Sequence, residues 1–227
     1  MKKIIYFLFF IYLYISCQSD TKNNDLLKVK IVGLKKGTVY LNTIENGKMI
    51  PADSIRTKGR NELVFDLRAY EPRLMALTLK EQPENYLLFF ADDTINTIQT
   101  SLRKFGLDTI VHSGINYRQW MAYRHMLSQY NDRKLDLIKE EMEAVKNNDT
   151  SRLNDIRKKL FSLERKRIKY ALHFSFTHKN LPIGAYVAAT ELQGNKKLLD
   201  TLYSSLPDKI KSSLYGKQIK SMLDTMK

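Results

Sequence analysis

Few residues in this 227-residue chain are placed to do chemistry. A serine nucleophile would need a strained turn such as G-x-S-x-G, and Ser113-Gly114 has no partner glycine. Neither a G-x-x-x-x-G-K-[ST] phosphate loop nor a G-x-G-x-x-G turn is present. The four histidines are His112, His125, His173 and His178. The last two are five apart, which puts them on different faces of a helix rather than in the i, i+4 register of a metal pair. Asp92-Asp93 reads as a turn between strands, with nothing beside it to support a calcium or general-acid role. Glu140, Glu141 and Glu143 read as helix-surface charges in local ion pairs near Lys139 and Lys146. No catalytic residue, cofactor or metal ligand is expected from these patterns. Trp120, Tyr123 and Tyr130 make the best ligand platform, since stacked aromatics bind sugar rings or bases. Their helical spacing is more often that of a core or helix seam.

Two kinds of element must position these side chains. From Leu26 to about His112 the pattern is short and alternating. Lys28–Val32, Gly37–Leu41, Met49–Thr57, Leu63–Phe65, Leu74–Leu79, Tyr86–Phe90, Thr94–Thr100 and Asp108–Val111 read as strands. Asn46-Gly47 is a hairpin turn, and Pro51 implies an edge strand or bulge because proline cannot donate to the ladder. Tyr86–Phe90, apolar on both faces, is the expected central strand. At Asn116 the period changes. Trp120, Tyr123, Leu127, Tyr130, Leu137, Ile138, Met142 and Val145 make one helical stripe. Leu153, Ile156, Leu160, Leu163, Ile168, Leu172 and Phe176 make a second, after a break at 147–150 that Thr150 or Ser151 can cap. Three shorter helices are expected after Pro182: 183–192, 196–206 and about 209–226. The expected fold is α+β: an N-terminal antiparallel β-sandwich over 26–113, then an all-α part over 114–227 built on a long antiparallel helical hairpin.

The single cysteine, Cys17, ends a leader. Lys2 and Lys3 are followed by twelve unbroken apolar residues, Ile4–Ile15, and then Ser16-Cys17. This is the pattern of a secretory signal, and it is too short for the roughly 20 residues that cross a bilayer as a helix. Leu13-Tyr14-Ile15-Ser16-Cys17 resembles the lipobox of bacterial lipoproteins, with Tyr14 where leucine is usual. The resemblance implies lipidation at Cys17, a signal peptide over 1–17, and a membrane-anchored protein of the cell envelope, more readily periplasm-facing than surface-exposed. Residues 18–25, QSDTKNND, read as a polar tether. With Cys17 committed, no thiol remains for a disulfide or a zinc-thiolate site. The net charge of +14 is concentrated late: from Ser113 onward there are 22 basic and 12 acidic side chains. Export argues against nucleic acid, leaving anionic lipid or an acidic envelope polymer as the partner of that charge, or a solvated helix surface with no partner.

The β half resembles a domain of unknown function in exported Bacteroidetes proteins, found N-terminal to a thioredoxin-like domain. Gly37-Thr38-Val39-Tyr40-Leu41 matches its G-x-V-Y-L strand, Asp53-Ser54 its D-S, and Pro72 with Phe89-Phe90 and Thr94-Ile95 its later strands. Leu202-Tyr203-x-x-Leu206 and Ser213-x-x-Gly216-Lys217-x-Ile219 are similar to the segment that follows in those proteins. Many of them are membrane-anchored thiol-disulfide oxidoreductases with a C-x-x-C pair. This chain has no such pair, so the resemblance implies a non-catalytic binding or scaffolding module rather than an enzyme, accessory to a separate thioredoxin-like protein. Two alternatives stay open: a remnant or N-terminal part of such an oxidoreductase, and a glycan or lipid binder. Five Asp-[Ser/Thr]-apolar triplets, at Ser54, Thr94, Thr109, Thr201 and Thr225, resemble the O-glycosylation acceptor of exported Bacteroidetes proteins. Composition alone supplies roughly one. Their other use is to open strands and cap helices.

Overall fold

A computed structural model describes residues 25–226, apart from 46, 60, 61 and 95. The expected leader with Cys17, and the expected tether up to residue 24, lie outside the described residues. Among the described residues the architecture is α+β, with eight strands in two sheets followed by six helices. The strands are β1 (Leu26–Val32), β2 (Lys36–Glu45), β3 (Lys48–Lys58), β4 (Leu63–Asp66), β5 (Arg73–Leu79), β6 (Gln82–Ala91), β7 (Asn96–Ser101) and β8 (Ile110–His112). Each falls on a predicted run. One sheet has the order β4-β1-β7-β8 and the other β3-β2-β5-β6. Both contribute to one apolar core, with Leu27 and Val29 from β1, Val39 and Leu41 from β2, and Leu87 and Phe89 from β6.

The expectation of wholly antiparallel pairing is corrected at one ladder. β1 and β7 run parallel, from Leu27 opposite Asn96 to Val32 opposite Ser101. Alternation along a strand reports which face is buried and carries no information about a neighbour's direction. Pro51 does sit on an edge strand. The β2–β3 register shifts between Leu41 and Asn42, which face Asp53 and Pro51, so Ala52 is the extra residue of a bulge. The reading of Tyr86–Phe90 as the central strand is overturned, because β6 is at the edge of its sheet. Its inward side chains, Leu87 and Phe89, fill the core between the sheets, while Leu88 and Phe90 face the helices. Apolar side chains on both faces here mark a strand covered by a helical layer.

That layer consists of α1 (Ile115–Lys146), α2 (Thr150–Thr177), α3 (Pro182–Glu191), α4 (Lys196–Ser205), α5 (Asp208–Lys211) and α6 (Leu214–Thr225). The 32 residues of α1 correspond to about 48 Å. α2 returns alongside it: Tyr123 meets Tyr170 and Phe174 near one end, and Glu143 pairs with Arg152 near the other. The reversal uses Asn148 in the left-handed region at φ 53° and Asp149 as N-cap, accepting from the Arg152 N–H at 2.9 Å. The cap is thus one residue earlier than Thr150. The predicted final helix is two, because Ser213 caps a new start at α6. Gly216 makes that turn possible: a Cβ there would lie 2.0 Å from the Ile210 carbonyl oxygen. The last predicted stripe residues of α1 are also corrected, since Met142 and Val145 are exposed and Leu137 and Ala144 are buried against Ile156.

Candidate functional site

Three places concentrate polar or apolar groups in arrangements beyond ordinary packing. The first is the joint between sheets and helices. Asp92, just after β6, is 5% exposed, and its carboxylate accepts from the Asn116 backbone N–H and from the Asn116 side-chain amide, both at 2.8 Å. Asn116 in turn accepts from the Ile183 N–H at 3.1 Å, which supplies the N-terminus of α3 with a cap from a distant helix. Asn96 holds the far side through the Asp92 and Thr94 carbonyl oxygens and the Asp92 N–H, and the Ser113 hydroxyl donates to both Asn96 and the Phe90 carbonyl. Gly114 is required beside it, because a Cβ would fall 2.3 Å from the Asp92 carboxylate. Burial pushes the Asp92 carboxyl above its ordinary pKa, and the two bonds from Asn116 hold the rise down. Both carboxylate oxygens of Asp92 accept from Asn116 and the Asn116 carbonyl accepts from Ile183, so this is a structural joint.

The second place is a cleft of about 580 Å³ between α1 and α2. Leu127, Ile138, Leu160 and Leu163 form its walls, and Tyr130, Asn131, Lys134, Glu164 and Arg167 its polar margin. It opens where the pair of helices passes from the main helical core to the smaller cluster around Leu137 and Ile156. Arg167 closes one end in a fork with Glu164, at 2.7 Å, and a bond to Glu191 of α3. The hydrogen bonds from Arg167 draw the Glu164 carboxyl below its ordinary pKa, and those to Glu164 lead in raising that of Arg167. Arg167 is therefore committed within the protein. The buried Tyr123 hydroxyl has no hydrogen-bond partner among the described residues, and burial is the main cause raising its pKa.

The third place lies on a neighbouring face of α2, and Glu164 borders both depressions. A groove of about 440 Å³ between α2 and α4 is lined by Phe161, Ile168, Leu172 and Leu198, with Arg165 and Lys169 at its edge. Phe161 is 68% exposed, with the Arg165 guanidinium 6.0 Å from its ring centre. The middle of α2 is thus a ridge between two apolar depressions. Sequence reasoning misses it because Ile168 and Leu172 read as part of a buried stripe. The available signal is charge: Arg157 to Lys169 holds seven Lys or Arg and one acid, Glu164.

The residues singled out from sequence are dispersed. Cys17 lies outside the described residues. Ser54 on β3, Thr94 before β7, Thr201 on α4 and Thr225 at the end of α6 are exposed, and Thr109 is half-buried with its hydroxyl donating to Thr100. Thr201 and Thr225 also donate to helix carbonyl oxygens, of Lys197 and Met222. Trp120 and Tyr123 are each 3% exposed within the main helical core, so their rings form a seam. Glu140, Glu141 and Glu143 pair with Arg133, Arg157 and Arg152, not with the nearby lysines; two of these pairs cross from α1 to α2. His112, His125 and His173 are exposed, and His178 is half-buried against Phe174. Among the described residues no three His, Cys, Asp or Glu gather as metal ligands, and no helix is long and apolar enough to cross a membrane. Comparison with protein families, curated proteins and solved structures finds no match.

Proposed function

We propose that this protein is a lipid-anchored, non-catalytic binding or scaffolding module of the cell envelope, facing the periplasm. The observation that carries the reading is the position of the only cysteine, directly after Ile4–Ile15 and Ser16 in a leader with Lys2 and Lys3 at its start. In this reading the two sheets form a sandwich that serves as a base, and α1 and α2 form a hairpin arm that presents the working surface. A thioredoxin-like protein of the same compartment is the partner suggested by the resemblance of the β half. The lipid-binder reading has support of its own in the exposed Phe161 and the apolar groove beside it.

The test is to express the full chain and its Cys17→Ser variant in an envelope-bearing bacterium, then measure membrane fractionation and intact mass. The expected wild-type product begins at Cys17, carries acyl groups and sediments with membranes, while the variant loses both the added mass and the anchoring. A wild-type mass equal to that of an unacylated polypeptide sinks the anchored reading. Masses above the acylated value, in steps of a constant glycan, locate modification among Ser54, Thr94, Thr109, Thr201 and Thr225. Mild detergent extraction tests the scaffold. A thioredoxin-fold protein in near-stoichiometric amount supports it, and its absence transfers the search to lipid and glycan ligands.

A further inference from the structure

We infer that the exposed ridge of α2 is a membrane-contact face that lies on an anionic phospholipid surface, with Phe161 entering the boundary between headgroups and acyl chains. The inference rests on the lipid-anchored reading for its geometry and on the helix itself for its chemistry. Residues three and four apart share a helix face, so Lys158, Phe161, Arg165, Ile168, Lys169 and Leu172 lie together on one side of α2. This combination of a large exposed apolar group framed by cations is that of a helix resting in a bilayer interface. Lys169 has no ion-pair partner among the described residues, and Arg165 is held only over the Phe161 ring. Lys158 has only a loose surface contact with Asp155, at 3.8 Å. The one acid in the segment, Glu164, is neutralised by Arg167. A phosphate-rich surface matches that unbalanced charge.

The bilayer fits this face better than the other occupants. A second copy meeting it through a two-fold axis would set like charges against like. A soluble acidic polymer would satisfy the cations and leave Phe161 in water. The reach of the chain agrees. The eight residue steps from Cys17 to Asp25 span at most about 30 Å. Leu27, two residues on, pairs with Asn96 of the Asp92 joint from which α1 departs. Leu160, the neighbour of Phe161, shares the cleft with Lys134 of α1, which puts the Phe161 level of the arm about 20 residues into that helix, or about 30 Å. An anchor at Cys17 therefore holds this ridge within reach of the same surface.

The experiment uses the full chain carrying Phe161→Trp, with vesicles of equal parts phosphatidylglycerol and phosphatidylcholine, or of phosphatidylcholine alone, both brominated in the acyl chains. Native Trp120 is 3% exposed and reports the background. The expected result is quenching of the introduced indole on the anionic vesicles and not on the neutral ones. It is also lost at about 1 M salt, where the Debye length is roughly 3 Å. Reversing Arg165 and Lys169 to Glu in the same chain lowers the quenched fraction at least about tenfold. A thermal unfolding curve for each variant confirms that it is folded. A chain that sediments with vesicles while its indole is unquenched overturns the inference and leaves the anchor standing. Equal quenching on neutral vesicles also overturns it. Quenching that persists in a Cys17→Ser chain supports the face and shows that it binds without the anchor.

Discussion

The Asp92 carboxylate and the Asn116 side chain tie three chain segments together: the end of β6, the start of α1 and the start of α3. A charge removed this far from water costs stability unless its acceptors are used, and here two N–H donors use them. Burial leaves the folded-state pKa of Asp92 above its unfolded value, so this group stabilises the fold increasingly as pH falls through its folded pKa. Asp66, drawn down to about 2 chiefly by its fork with Arg68, and Glu164 have the opposite sign. Their stabilisation is present above the unfolded carboxylate pKa and is lost as pH falls through the folded one. In urea titrations between pH 8 and about 4, Asp92→Asn is expected to be less stable than wild type throughout. The gap between the two is expected to widen toward acid, and a gap that narrows contradicts a raised pKa for Asp92 in the folded state. Asp92→Ala leaves both Asn116 donors unpaired and is expected to cost about 2–4 kcal/mol.

At the scale of elements, α1 is held by its aromatic seam. Trp120 and Tyr123 are buried, Tyr123 stacks on Tyr170 at 5.7 Å, and Tyr117 and Arg124 flank the Trp120 ring. Trp120→Ala is expected to cost roughly 3–5 kcal/mol by chemical denaturation, the usual loss for a large buried ring. A variant with unchanged stability and lost carbohydrate binding would restore the platform role. The strands and long helices were legible because periods of two and of three to four are local, set by the directions in which successive Cβ atoms point. The helix caps were legible only to within a residue, since Asp149, Thr150 and Ser151 all suit that role. The split at Ser212-Ser213 was not legible: Ser213 and Gly216 act through a close approach to the Ile210 carbonyl, which exists only once the turn has formed.

Across the whole molecule, the sheets and helices share an interface built on Phe90, Tyr186 and Tyr215. Phe90 meets Tyr186 edge-on at 5.9 Å, Tyr186 meets Tyr215 at 5.1 Å, and the Leu74 N–H donates to the Tyr215 hydroxyl at 2.9 Å. Burial pushes the pKa of Tyr123, Tyr186 and Tyr215 upward. The unfolded chain releases these protons near pH 10 while the folded one retains them, so stability is expected to fall as pH rises through about 10. Tyrosinate absorbance followed with circular dichroism checks this. Tyr123, Tyr186 and Tyr215 are expected to ionise together with the loss of helix signal. Ionisation of all tyrosines before any unfolding contradicts the burial.

The sequence by itself determined the eight strands and the two long helices, the change from strands to helices near residue 114, the irregular or edge setting of Pro51 and the excess of positive charge in the later half, because each is a property of neighbours along the chain. It also placed the single cysteine, Cys17, directly after an unbroken apolar run. The tertiary structure decided the rest. The parallel pairing of β1 with β7 and the edge position of β6 depend on which segments meet across long separations. The Asp92–Asn116 joint draws on side chains 24 residues apart that have no local reason to meet. Phe161 stands beside what reads as a buried stripe, and only the packing of α2 between α1 and α4 leaves that residue facing outward. Local pattern reports that a surface is apolar; the arrangement of its neighbours decides whether it is covered.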